Sequence, residues 1–112
     1  MAVDQPKVVD IISKDKNGDI VLTISDHLDW RDTRQHLTVL QEKINDYLAF
    51  LESGEIYKKY PNARGNQIRI KVVFQYKPTP ETHSFLREAK SIVEGAGAGF
   101  GHELFAATPY KM

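Results

Sequence analysis

Gln67-Ile68-Arg69-Ile70-Lys71-Val72-Val73-Phe74-Gln75-Tyr76-Lys77 is the stretch that decides the fold. Ile68, Ile70, Val72, Phe74 and Tyr76 alternate with Arg69, Lys71, Val73, Gln75 and Lys77, the period of a strand with one apolar face. A strand buried on both faces is apolar throughout. This one has a wet face, so the sheet that holds it is expected to be covered on one side only. That predicts two layers.

Upstream, Val8 to Ser13 is a short β-rich run, and Ile20 to Ser25 places Ile20, Leu22 and Ile24 on one face and Val21, Thr23 and Ser25 on the other. Lys14 to Asp19 lies between them. Its Asn17-Gly18 pair supplies the positive φ angles that a tight turn needs, so a β-hairpin is expected. A helix of about 31 Å follows over Thr33–Ser53. Asp32 is its N-cap with Gln35 three residues on, Leu37, Leu40, Ile44, Tyr47, Leu48 and Leu51 are its apolar stripe, and Gly54 is its left-handed end. Val39 and Phe50 lie off that stripe, as if the helix touched more than one neighbour. Glu55 to Tyr60 has room for one further turn before Pro61, and residues 62–66 read as a loop.

Downstream, Thr79 and Pro80 open a second helix with Phe85, Leu86, Ala89, Ile92 and Val93 as its stripe. Gly95-Ala96-Gly97-Ala98-Gly99-Phe100-Gly101 stops it. These glycines follow a helix and lack the lysine and hydroxyl residue of a phosphate loop, so they are read as structural. His102 to Ala107 is expected as a final strand. The order is ββαβαβ. Right-handed crossovers then put both helices on one face of a mixed sheet of about four strands, an α+β two-layer sandwich. One domain over 1–112 is expected, with 1–6 and 108–112 as loose termini. The predicted core is Ile24, Leu37, Leu40, Ile44, Leu48, Leu51, Ile70, Val72, Phe74, Phe85, Ala89 and Ile92.

Composition is that of an ordinary globular protein, with 41% hydrophobic and 27% charged residues. There is no cysteine, which removes disulfides and thiolate chemistry. No apolar run approaches the roughly 20 residues of a membrane span, and the N-terminus lacks a signal peptide's apolar centre. A cytoplasmic location is expected. The net charge is zero but unevenly spread: residues 1–32 carry seven acids against four bases, and residues 55–77 carry six bases against Glu55 alone. Mutual compensation of the two blocks is the favoured reading, and a basic face for an acidic partner is the sharper one.

The candidate site is Ile24-Ser25-Asp26-His27-Leu28-Asp29-Trp30-Arg31-Asp32, where a strand stops and a helix starts. Ser25, Asp26 and His27 have triad chemistry, but neighbours on a strand point to opposite faces, and triads converge from separate elements. His27, Asp29 and Asp32, with His36 a turn beyond, are a possible mixed N/O metal set without any recognised ligand spacing. Helix capping is a sufficient role for Asp32, and Asp29 suits the same helix end. Trp30 reads first as a lid over the core and second as a recognition platform. His83 and His102 are isolated. On the wet sheet face, Arg69, Lys71, Gln75 and Lys77 lack the exposed aromatics of an RNA-binding sheet, since Phe74 and Tyr76 fall in the buried register. Nucleic acid and membrane are therefore disfavoured as partners. A protein partner or a second copy is favoured, with Val21 and Val73 as apolar patches between the charges.

The runs Val8-Val9-Asp10, Ile24 to Trp30, His36-Leu37, Leu40 to Asn45, Tyr47 to Phe50 and Glu52-Ser53-Gly54 resemble a family of small bacterial proteins known only as a domain of unknown function. The likeness continues through Tyr60-Pro61-Asn62-Ala63, the Ile68–Tyr76 strand and Glu103-Leu104-Phe105. It implies a stand-alone bacterial domain and carries no activity, cofactor or catalytic residue. Thr33-Arg34-Gln35 departs from the more acidic stretch expected there, which weakens the metal reading. The expectation is a non-enzymatic binding module without cofactor, a homodimer or the binder of a protein partner. Asp26, His27, Asp29, Trp30, Arg69 and Lys71 are its candidate contact residues. The alternatives are a small metal-dependent hydrolase centred on Asp26–Asp32, and an immunity or accessory protein that neutralises a toxin.

Overall fold

A computed structural model describes residues 11–105. In it, β1 (Ile11–Lys14) and β2 (Ile20–Asp26) are followed by α1 (Thr33–Glu52), a short α2 (Glu55–Lys59) and one 3-10 turn (Pro61–Ala63). Then come β3 (Ile68–Phe74), α3 (Pro80–Gly95) and β4 (Gly99–Leu104). The expected strand residues Val8–Asp10 and Ala106–Ala107, and the termini 1–6 and 108–112, lie outside the described residues.

The four strands lie side by side in chain order, β1 antiparallel to β2 and the rest parallel. The hairpin turn is held by Asp15, whose Oδ1 accepts the N–H groups of Asn17 and Asp19 at 2.9 Å each, while Gly18 takes a positive φ of 89°. The helices α1 and α3 touch one another, α1 also meets β2, and α3 meets β4. They therefore share one face of the sheet. The fold is the mixed α+β sandwich that the wet strand predicts, with α2 as the additional turn before Pro61.

Ile20, Leu22 and Ile24 of β2, Ile68, Ile70, Val72 and Phe74 of β3 and Phe100 of β4 line the inner face. From α1 they meet Leu40, Ile44, Tyr47, Leu48 and Phe50, and from α3 they meet Leu86, Ala89 and Val93. Four of the predicted core residues sit differently. Leu37, Leu51 and Phe85 are only half-buried, and Ile92 is 59% exposed. The cause in α1 is a small roll. His36 and Lys43 take inner positions, Tyr47 donates its hydroxyl to the Thr23 carbonyl at 2.9 Å, and Leu37 and Leu51 move to the flank. Lys43 is 1% exposed, with its Nζ 5.5 Å from the centre of the Tyr47 ring. On α3 the sheet-facing stripe runs Thr82, Leu86, Ala89, Val93, so Ile92 is left at the rim.

The glycine-rich stretch divides in two. Gly97, at φ 91°, receives the end of α3, with Gly97 N–H on the Glu94 carbonyl and Ala98 N–H on that of Val93. This left-handed cap satisfies carbonyls the helix leaves open. Gly99 and Gly101 belong to β4, which begins three residues earlier than the sequence suggests. A Cβ on Gly99 would stand 3.1 Å from Arg69 Cγ, so glycine gives the arginine stem room to lie across the strand.

Candidate functional site

Inward positions recur every second residue along β2, and after Ile20, Leu22 and Ile24 the next is Asp26. A carboxyl group there is carried into the core; Asp26 is 2% exposed. On α1 the inner stripe read backwards from Lys43 and Leu40 reaches His36, also 2% exposed. The two meet: His36 Nε2 lies 2.5 Å from Asp26 Oδ2. Asp26 Oδ1 accepts the Leu28 N–H at 3.1 Å, and His36 Nδ1 lies 2.9 Å from the Asp29 carbonyl.

A carbonyl only accepts, so Nδ1 carries a proton. A single proton then lies between Nε2 and Oδ2, whether it resides on nitrogen as an ion pair or on oxygen as a neutral acid. Such contacts are among the strong hydrogen bonds of protein interiors. Trp30 closes over the pair, its ring stacked on His36 at 3.7 Å and 17° and tilted against Phe74 at 5.8 Å. Its Nε1–H donates to the Tyr76 carbonyl at 3.1 Å. The tryptophan is half-buried, a lid over the end of the core.

The remaining residues of the segment shape the loop. Asp29 Oδ1 accepts the Arg31 N–H at 3.1 Å, and its Oδ2 pairs with Arg31 Nε at 3.0 Å on an exposed surface, where such pairs stabilise little. Asp32 Oδ1 accepts the Gln35 N–H at 3.1 Å and caps α1 as the sequence predicts. Thr79 occupies the cap position of α3, yet its hydroxyl pairs with that of Thr82 at 3.0 Å instead of a helix amide.

Asp29 shapes the loop, Asp32 caps α1, and His27 is exposed beside a cavity. Among the described residues no three histidine or acidic side chains come together to hold a metal ion. His36, the residue that sequence reasoning left at the margin, has both ring nitrogens committed and none turned to a substrate.

His27 is exposed and lines a cavity of about 170 Å³ with Ser25, Asp26, Val73, Gln75 and Phe105, at the carboxyl end of the three parallel strands. It leads onto the sheet face opposite α1 and α3, where Thr23, Ser25, Lys71 and Val73 are half-buried. Arg69 and Lys71 lie on that face, each 3.8 Å from a carboxylate, Asp15 and Glu103 respectively. Arg69 with Asp15 joins the basic block to the acidic one, whereas Glu103, the partner of Lys71, belongs to neither block. Two expectations for this face change. Val21 is buried and offers no apolar patch. Tyr76 lies beyond the end of β3 and is 47% exposed, because the strand register stops at Phe74.

On the helix side, His102 of β4 meets the edge of Phe74 at 5.9 Å. Partial burial, and then the nearby His83, hold its imidazolium below the ordinary histidine range. Both effects disfavour the charged form, so folding is favoured more at a pH above the ordinary value of 6.5 than below it. In an NMR pH titration, His83→Gln should move the His102 midpoint upward, part of the way back. An unchanged midpoint would contradict the proximity of the two rings.

A four-stranded mixed sheet under two helices, pinned where β2 meets α1 by a buried acid–imidazole pair, defines the class: a small α+β sandwich. The chain belongs to a family of unknown function, DUF6572, whose model matches residues 1–106. No curated protein and no solved structure matches it.

Proposed function

We propose that this chain is a non-enzymatic binding module of the bacterial cytoplasm, and that the sheet face opposite α1 and α3 associates with a second copy of itself. The observation that carries the reading is the charge pattern of that face. Lys71 and Glu103 sit side by side, Arg69 stands near Asp15, and half-buried Val73 lies between the charges and the His27 cavity. A face bearing both signs is self-complementary under two-fold rotation, which sets the lysine of one copy against the glutamate of the other. Two-fold dimers are the commonest closed assembly, and their interface is by necessity the same patch on both subunits. Zero net charge adds no repulsion between copies.

Of the residues singled out from the sequence, His27, Arg69 and Lys71 belong to this surface. Asp26 and Trp30 support it from beneath, and Asp29 shapes the loop beside it. A dilution series of amide NMR spectra tests the reading. Shifts should concentrate on Ser25, His27, Lys71, Val73, Gln75 and Glu103. Concentration-independent spectra, or shifts confined to α1 and α3, would overturn it.

A further inference from the structure

Between α3 and the edge strand β4 runs a groove of about 450 Å³ on the opposite side of the sheet from the proposed dimer face. One wall is a stripe of α3. His83, Arg87 and Lys90 follow at spacings of four and three residues and so share one face of the helix. The other wall is β4, with His102 facing them beside the backbone of Gly101. Leu86 and Phe100, both largely buried, form the floor. Among the described residues, no carboxylate lines the groove. Arg69 and Lys71 have acids at 3.8 Å, whereas among the described residues neither Arg87 nor Lys90 has an ion-pair partner.

Four nitrogen-bearing side chains converge from two elements, and among the described residues no anion lines the groove to meet them. A guanidinium fork matches a tetrahedral oxyanion with two parallel hydrogen bonds, a lysine adds a point charge, and an imidazole donates from a ring N–H in either charge state. A phosphate monoester offers three terminal oxygens in a tetrahedral array and up to two negative charges, against the two coplanar oxygens and single charge of a carboxylate, and so suits donors converging from two walls. The groove is larger than a bare ion requires and falls within the size range of small-molecule sites, with the apolar floor left over for an organic portion.

We infer that this groove binds a small organic phosphate. Arg87 and Lys90 hold the phosphate, His83 and His102 donate to its remaining oxygens, and Leu86 and Phe100 pack against the organic part.

The test is an NMR titration of the full chain at physiological ionic strength with three probes: inorganic phosphate, adenosine monophosphate and adenosine. Both phosphates should give saturable shifts centred on His83, Arg87, Lys90, Gly101 and His102, the nucleotide binding more tightly, and adenosine alone should not saturate. Arg87→Gln and Lys90→Gln should each weaken phosphate binding about tenfold, the usual worth of a hydrogen bond to a charged group. Both positions are exposed, so the circular dichroism spectrum should not change, and Lys58→Gln should bind as the parent does. Absence of saturable binding by inorganic phosphate, shifts centred on Arg69 and Lys71, or unaltered affinity in Arg87→Gln would overturn the site. Equal affinity for phosphate and nucleotide would overturn the organic part of the assignment.

Discussion

His36→Ala is expected to lower stability by about 3–5 kcal/mol, the usual cost of removing one partner of a buried pair. Asp26 would be left in the core with only the Leu28 amide to meet its carboxyl group. Trp30 would lose the ring on which it stacks, and the Asp29 carbonyl its donor. Against a typical total of about 5–15 kcal/mol, a loss of that size brings a small domain close to unfolding. Denaturant titration measures it. Replacing both partners together, as Asp26→Leu with His36→Leu, should recover part of the loss, because no orphaned polar group then remains. A single-variant loss below about 1 kcal/mol, no more than an ordinary solvated hydrogen bond contributes, would contradict the assigned pair.

Phe74→Ala should cost about 3–5 kcal/mol, the range for truncating a buried aromatic. Phe74 is the last residue of β3, and its ring meets Trp30 on one side and His102 on the other. The substitution therefore empties the space under the lid as well as removing apolar area from the core. Trp30 is the only tryptophan, so its fluorescence reports the change directly. Emission should shift to the red in the still-folded variant. A shift-free spectrum with a loss below about 2 kcal/mol, outside that range, would mean that Trp30 and Phe74 do not share a wall.

The architecture was legible because each element carries its own periodicity. Alternation from Ile68 to Phe74 gave one wet face, Asn17-Gly18 gave the hairpin, and Asp32 with Gln35 gave the start of α1. The roll of α1 was not legible from apolar spacing alone, since a stripe through Leu37 and Leu51 is as regular as one through His36 and Lys43. What decides between them is a polar contact across some ten residues of sequence, Asp26 to His36. Its signal was nonetheless present. Asp26 occupies the next inward position after Ile24, and His36 stands one turn before Leu40, so each is a polar residue at a core position. A buried polar group needs a partner, and these two satisfy one another. The start of β4 was hidden for a different reason. Gly99 and Gly101 read as a flexible break, whereas both lie in β4 and the missing side chain of Gly99 accommodates Arg69 from the neighbouring strand. The basic groove went unnoticed because His102 is more than ten residues from His83, Arg87 and Lys90, and only the β3–β4 pairing and α3 bring them together.

The segment that first draws the eye, Asp26 to Asp32, is then mostly a fastening between strand and helix, and the proposed self-association is assigned instead to the sheet face opposite α1 and α3. Static light scattering across a wide concentration range tests that division most directly, comparing the parent chain with Val73→Glu. Parent mass should rise from that of one chain toward that of two, while Val73→Glu, shown by its circular dichroism spectrum to be folded, should stay at one. A parent mass that stays at one chain throughout, or a Val73→Glu variant that pairs as the parent does, would contradict the account.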